Sequence, residues 1–325
     1  MTNAQIKAEL LAIGAIDIDM ALLGHITTPT AGPGAGRTAI FFRWDNHRVR
    51  LAVDDGSPLK GVADNGDIVI YKGKNELVRG KLEEELIHCP GQAFITISEQ
   101  CVFDCKFCPV PKLDGKIKSL DEIIQMVDEA NDSGKLTAIS LTSGVAGSPE
   151  EEVDRAVEAA KALKKYNVPI GISVYPTADS SRQLKEAGAV EVKYNVETMD
   201  RELYKKVCPD QSLELILKCL KDAVDIFGKN HVYSNFIIGL GETDETVESG
   251  LNELVSMGVI PIIRAGGMHP LRVGEIDVER PTAQRLLKLN RILRRILDEH
   301  GLRADVSRTM CLPCTGCDLN PHLDL

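Results

Sequence analysis

The stretch QAFITISEQCVFDCKFC, residues 92–108, decides how this chain is read. Residues 92–97 form an apolar, β-rich run that leads directly into Cys101, Cys105 and Cys108, spaced C-x3-C-x2-C. Three thiolates so close on one loop can hold three corners of an iron-sulfur cube and leave the fourth iron open. An iron with a vacant coordination position is a reaction site. The two plainer readings suit the spacing badly. Zinc sites pair two short-spaced dyads, and ferredoxin-type clusters take a fourth cysteine from a characteristic run.

Outward from this loop, Ser119 with Glu122 three residues on makes a capping box that opens a helix to about residue 131. An apolar run at 137–141 ends in the loop TSGVAGS. Ser148, Pro149 and Glu151 then supply N-cap, N1 and N3 signals for a helix to about residue 166. Further strands fit 168–174, 189–195, 232–238 and 259–264, separated by helical patterns at 181–187, 213–227 and 242–257. Six strands alternating with helices predict an α/β fold on a parallel sheet, because each crossover is long enough to hold a helix. Periodicity alone does not close a sheet, so a partial barrel and a doubly wound open sheet both fit.

Residues 1–88 read differently. They carry one or two short amphipathic helices, the loop TTPTAGPGAG at 27–36, hairpin-like text in RTAIFFR, WDNH and RVRLAV, and a strand pair around DNGDIVIYKG and NELVRG. The expected organisation is a small helical and β-rich cap over 1–88, the main α/β unit over 89–300 and a tail over 301–325. Of the 325 residues, 43% are hydrophobic and 26% charged, which is ordinary for a globular enzyme. No apolar run approaches bilayer length, and MTNAQIKAELL lacks the basic-then-apolar order of a signal peptide. A cytoplasmic protein with no membrane partner is expected. There, nine cysteines are metal ligands or buried thiols, not a disulfide framework. The net charge of -10 weighs against a nucleic-acid partner, since phosphate binding needs a concentrated positive surface.

The C-x3-C-x2-C spacing, with the aromatic Phe107 just before the last cysteine, resembles the signature of the radical S-adenosylmethionine (radical SAM) enzymes. The resemblance implies a partial (β/α)6 TIM-like barrel. It implies a [4Fe-4S] cluster on Cys101, Cys105 and Cys108 whose open iron is chelated by the amino and carboxylate groups of S-adenosylmethionine. One electron, from a ferredoxin-like donor under anaerobic conditions, then yields methionine and a 5'-deoxyadenosyl radical that takes hydrogen from an unactivated C–H bond. In such barrels the chemistry sits at the C-terminal strand ends, where the cysteine loop falls.

KYNVET, 193–198, and the following RELYKKVCP are similar to biotin synthase and its relatives, which implies that Asn195 and Glu197 contact the methionine or ribose portion of the cofactor. NFIIGLGET, with Gly239, Gly241 and Glu242, resembles the adenine-binding strand, although Asn235 stands where the motif has Gly. Thr142, Ser143 and Gly144 occupy the place of the family's Gly-Gly-Glu-like segment, which binds the methionine ammonium through backbone carbonyls. Without the cysteine loop these stretches would read as a polar strand end and ordinary strand-to-helix turns.

The chain ends RTMCLPCTGCDLNPHLDL, placing Cys311, Cys314 and Cys317 at C-x2-C-x2-C spacing. Chain ends usually fray, so three thiols with Pro and Gly in a tail make sense if a metal orders them. The spacing suits a second, auxiliary iron-sulfur cluster of the [4Fe-4S] kind, with Cys89, Ser307, His322 or no protein group as fourth ligand. A zinc knuckle that pins the tail is the plainer alternative. Cys219 reads as a buried small apolar residue and Cys208 as a surface thiol without a role. His269 and Arg272, in GGMHPLRVG after the sixth strand, stand at the active rim. They suit a substrate carboxylate, the second cluster, or a satisfied loop histidine. The basic side of the helix at 280–300 reads as a solvated face.

The function expected is a transferase that inserts sulfur at an unactivated carbon of an acyl substrate, free or bound to a carrier protein. The first cluster would make the radical and the second would supply sulfide. Biotin synthase holds its sacrificial cluster on cysteines inside the barrel, whereas the strands assigned here carry none. Lipoyl synthase, with its cluster outside the strands, is the better analogy. The competing expectations are a rearranging or fragmenting enzyme, like methylornithine synthase or the hydrogenase maturase, and a non-catalytic iron-sulfur carrier or scaffold.

Overall fold

The computed structural model describes residues 1–24, 28–30, 32 and 34–325, so part of the loop read at 27–36 lies outside the described residues. The chain opens with helix α1 (Asn3–Ile13), started by a capping box between Thr2 and Gln5 and ended by Gly14 in the left-handed region. Strands β1 (Ala15–Ile18), β2 (Ala39–Trp44), β3 (His47–Val53), β4 (Leu59–Asp64), β5 (Asp67–Lys72) and β6 (Asn75–Glu83) follow. They close into a barrel in the order β1-β3-β2-β6-β5-β4. The β-rich cap of the sequence reading is therefore a closed barrel rather than two loose strand pairs. What closes it is β1, which pairs parallel with both β3 and β4 and lies where a second helix was entertained. Ile16 and Ile18 of this short strand are buried, so it carries the strand period of two within a stretch too short to display it.

The second unit runs β7 (Gln92–Thr96), α2 (Leu120–Asp132), β8 (Ala138–Thr142), α3 (Pro149–Leu163), β9 (Ile170–Ser173), α4 (Ser180–Ala187), β10 (Glu191–Lys193), α5 (Arg201–Val207), α6 (Leu213–Phe227), β11 (Val232–Ile238), α7 (Asp244–Ser256) and β12 (Ile260–Ala265). The strands are parallel and pair in sequential order from β7 to β12. A doubly wound sheet reverses its strand order at a switch point; this one never does, which makes it the partial (β/α)6 barrel. Every residue of β9, β10 and β11 is buried, as expected of parallel strands covered on both faces. The α2 capping box is made in both directions, Glu122 N–H to Ser119 Oγ at 3.2 Å and Ser119 N–H to Glu122 Oε2 at 2.8 Å.

Helix α8 (Ala283–Glu299) packs across α1 and α7, and the short turn α9 (Cys311–Cys314) carries two of the tail cysteines. The basic side of α8 is tied down by acids: Arg285 meets Asp244 at 2.8 Å and Arg295 meets Glu248 at 2.6 Å.

Candidate functional site

The loop after β7 that carries Cys101, Cys105 and Cys108 is clasped from outside by the segment joining α5 to α6. Lys106 N–H donates to Val207 O at 2.8 Å and Asp104 N–H to Asp210 Oδ2 at 2.8 Å. Gln211 Nε2 donates to Cys105 Sγ at 3.4 Å, and the Cys208 thiol lies near the same cysteine. Cys208 is fully buried, which corrects its reading as a surface thiol; Cys219, also buried, is the core residue expected. On the other flank Arg272, with no exposure, donates from Nε to Cys108 O and from Nη1 to Asp104 Oδ1, both at 2.6 Å. Arg272 thus holds the cysteine loop, and His269 caps a turn by accepting Leu271 N–H at 3.2 Å. Neither is placed to read a substrate carboxylate.

Burial pushes the Cys101 thiol up and Cys108 up to about 12, and the Cys208 thiol and then burial push Cys105 well above the thiol range. Thiols this reluctant to ionise become thiolates only when a metal takes the charge.

Around these thiols opens a cavity of about 880 Å³. Phe107, Thr142, Ser143, Gly144, Asn195 and Glu197 all line it. Gly144 has no room for a side chain, since a Cβ would stand 2.1 Å from Gln100 O. Ser143 accepts Ser98 N–H at 3.1 Å and donates to Glu152 at 2.7 Å. Glu152, fully buried, also takes the Ser98 hydroxyl at 2.8 Å and Ala146 N–H at 3.0 Å, so it fixes the ends of β7 and β8 together. Asn195 Oδ1 accepts Asn235 N–H at 3.3 Å, while the buried Asn235 Oδ1 has no partner among the described residues. Glu197 sits at φ 59, unusual for a non-glycine residue, and burial raises its carboxyl to about 7 against the pull of Lys193 and Arg264.

Gly239, Gly241 and Glu242 stand outside the cavity lining. The Glu242 carboxylate takes Gly239 N–H at 2.7 Å and Leu240 N–H at 2.8 Å and pairs with Arg285 at 3.0 Å, closing the strand-to-helix turn. The residues this turn presents to the cavity are Ile237 and Leu240.

The tail reaches the same cavity, which Cys311, Cys314 and Cys317 also line. It does not fray. Gln92 exchanges two hydrogen bonds with the backbone of Met310, at 3.0 and 2.8 Å. The buried Glu191 takes Arg308 N–H and Thr309 N–H, both at 2.9 Å, and Arg264 pairs with Asp318 at 2.8 Å. The small barrel grips the other side: Arg50 N–H donates to Gly316 O at 2.7 Å and Arg48 Nη1 to Cys314 O at 3.1 Å. Asp324 is buried between Lys7 at 2.7 Å and His47 at 2.9 Å.

The surroundings of the two triads differ in sign. The acids Glu152, Glu197 and Asp210 stand near the first. Beside the second, Lys193 Nζ lies 3.4 Å from Cys311 Sγ, and Arg264 and Arg50 face Cys317. Burial and these three cations push His88 down to about 3, so it stays neutral. Arg50 Nε and Nη2 and Arg264 Nε are buried without partners among the described residues. Unsatisfied cationic donors beside three thiols suit an anionic, sulfide-rich cluster. Among the described residues no three His, Cys, Asp or Glu side chains converge tightly enough for a single metal ion. What qualifies the triads is their donor chemistry and surroundings, not a formed coordination sphere. None of Glu152, Lys193, Arg50, Arg264 and Gln211 was legible as a site residue, because each comes from a different element: Lys193, Arg50, Arg264 and Gln211 line the cavity, Glu152 stands behind Ser98 and Ser143, and only Lys193, beside Asn195, lay within a motif already singled out.

A sequential (β/α)6 sheet with a C-x3-C-x2-C loop after its first strand defines the radical SAM class. The profile of the Radical SAM superfamily matches residues 95–254, and the chain carries a radical SAM domain there. Its family cofactors are a [4Fe-4S] cluster and S-adenosylmethionine. Among curated proteins it is 29% identical over 178 residues to biotin synthase of Hydrogenobaculum sp. (strain Y04AAS1), covering 51% of this chain and 53% of the relative. It is 27% identical over 192 residues to lipoyl synthase of Haemophilus influenzae (strain ATCC 51907 / DSM 11121 / KW20 / Rd), covering 55% and 58%. The chain thus spans about half the length of the curated relatives it matches. The crystal structure of methylornithine synthase (PylB) superposes with a TM-score of 0.54 at 21% identity, over 62% of this chain and 61% of that one, a likeness of fold. No helix among the described residues is long and apolar enough to cross a membrane.

Proposed function

We propose that this radical SAM enzyme inserts sulfur at an unactivated C–H position of an acyl-type substrate, drawing the sulfide from a second cluster on Cys311, Cys314 and Cys317. The observation that carries the reading is that both cysteine triads line one cavity of about 880 Å³. When bound, the cluster on Cys101, Cys105 and Cys108 with S-adenosylmethionine supplies the hydrogen-abstracting radical. The backbone of Thr142, Ser143 and Gly144 receives the cofactor's ammonium, and Asn195 and Glu197 offer acceptors to its methionine or ribose groups. Phe94, Phe103, Ile237 and Leu240 make the apolar wall that keeps water from the reacting carbon.

In this reading residues 1–88 cap the barrel at 89–300, and 301–325 carry the second cluster. The substrate is a free or carrier-bound acyl chain, the electron donor is ferredoxin-like, and the site of action is cytoplasmic. The similarity to biotin and lipoyl synthases supports the sulfur-inserting branch.

The test is anaerobic reconstitution followed by turnover on a panel of free and carrier-bound acyl chains. Iron should fall from about eight per chain to about four when either triad is changed to Ala. Without an added sulfur donor, product should stop at one equivalent as the absorbance of the second cluster is lost. Repeated turnover with that cluster intact would instead identify a rearranging or fragmenting enzyme, and absence of 5'-deoxyadenosine would identify a carrier.

A further inference from the structure

We infer that Cys89 is the fourth protein ligand of the second cluster, an inference that rests on the cluster-binding reading of Cys311, Cys314 and Cys317. Cys89 is remote from the tail in sequence and precedes β7. There Leu86 N–H donates to Cys89 O at 3.3 Å and Cys89 forms an isolated bridge with Gln92. Gln92 is the residue whose amide holds Met310 at 3.0 and 2.8 Å, immediately before Cys311. One short segment therefore positions both Cys89 and the start of the triad.

The Cys89 side chain has no exposure. It packs in one buried cluster with Cys314 and Phe41, and Phe94 lies against them. A buried thiol packed against a second thiol and aromatic rings is either an inert core residue or a metal ligand.

Two features favour the ligand. Met310 at φ 62 and Thr315 at φ 53 hold the turn α9 between two non-glycine residues in left-handed backbone, a strain that persists only where surroundings enforce it. That turn is what brings Cys311 and Cys314 alongside Cys89. The other two candidates are also spent elsewhere. Ser307 Oγ donates to Glu191 at 3.1 Å, and His322 accepts Ala304 N–H at 3.2 Å through Nδ1 and meets Asp298 at 3.1 Å through Nε2. With four thiolates no iron of this cluster is open to substrate. Cys311, Cys314 and Cys317 line the cavity, so a cluster held there would offer sulfide rather than an open iron to a substrate.

The experiment compares wild type, Cys89→Ala and Cys89→Ser as full-length, anaerobically reconstituted proteins. It reads iron content, Mössbauer spectra, and EPR after brief oxidation. The S-adenosylmethionine-dependent EPR change of the first cluster reports that the fold is intact. The alanine protein should lose about one iron per chain and show about twice the three-iron cluster signal of wild type, in which only the open iron of the first cluster is lost on oxidation. If it loses the whole second cluster, Cys89→Ser decides: a four-iron cluster with one shifted iron site upholds ligation, and an unshifted spectrum overturns it. Wild-type iron and spectra in Cys89→Ala also overturn the inference. If changing Cys311, Cys314 and Cys317 to Ala removes no iron, the cluster-binding reading itself fails, and the inference with it.

Discussion

Glu197 shows how the cavity strains individual residues. Its backbone is left-handed, its carboxyl is buried, and two cations only partly offset that burial, which leaves it near 7. Because the folded protein holds this proton more tightly than the unfolded chain, the contribution of Glu197 to stability is fully present below about 4.5 and is lost as pH rises through about 7. His88, held neutral in the fold, contributes in the opposite sense up to about 6.5, so between these values the melting temperature of the metal-free protein should rise more with pH in Glu197→Gln than in wild type. Gly144 carries a steric constraint instead. Gly144→Ala drives a Cβ into Gln100 O and should cost about 1–3 kcal/mol in chemical denaturation while weakening S-adenosylmethionine binding. At this scale the cysteines were legible because spacing on one loop is a local property. Asn195 and Glu197 were legible through a motif. The unpartnered Oδ1 of Asn235 was not, because Asn235 read only as a departure from glycine.

Elements were legible where both ends carry local chemistry. Helix α6 was placed at its observed limits by its helical pattern, and in the structure Ser212 and Gly228 cap it; α2 was placed by its capping box. Ser119→Ala should cost about 1 kcal/mol in urea denaturation and leave iron content unchanged. The segment between α5 and α6 carried no such signal, yet it clasps the cysteine loop through Val207, Asp210 and Gln211. An N–H donor to a cluster thiolate stabilises the more negative, reduced state. Gln211→Ala should therefore lower the reduction potential of the first cluster in an EPR-monitored titration, with the iron still bound. Strand β10 was drawn too long, because the polar positions that follow Lys193 leave the ladder to line the cavity.

At the scale of the molecule, the two chain ends meet: Lys7 of α1 is buried against Asp324, and the small barrel supplies Arg48 and Arg50 to the tail. Breaking a buried pair strands the remaining charge, at about 3–5 kcal/mol. Lys7→Ala should lower the denaturation midpoint accordingly and reduce iron bound at the second triad before the first. The sequence by itself determined the parallel α/β order, the first cysteine triad and the existence of a second, because helix caps, apolar periods and ligand spacing are written within a few residues of one another. Only the tertiary structure decided that the N-terminal strands close into a barrel, that both triads open into one cavity, and that Cys89 stands beside Cys314. Each of these joins residues far apart along the chain, and what brings them together is the burial of shared surface, which no local pattern encodes.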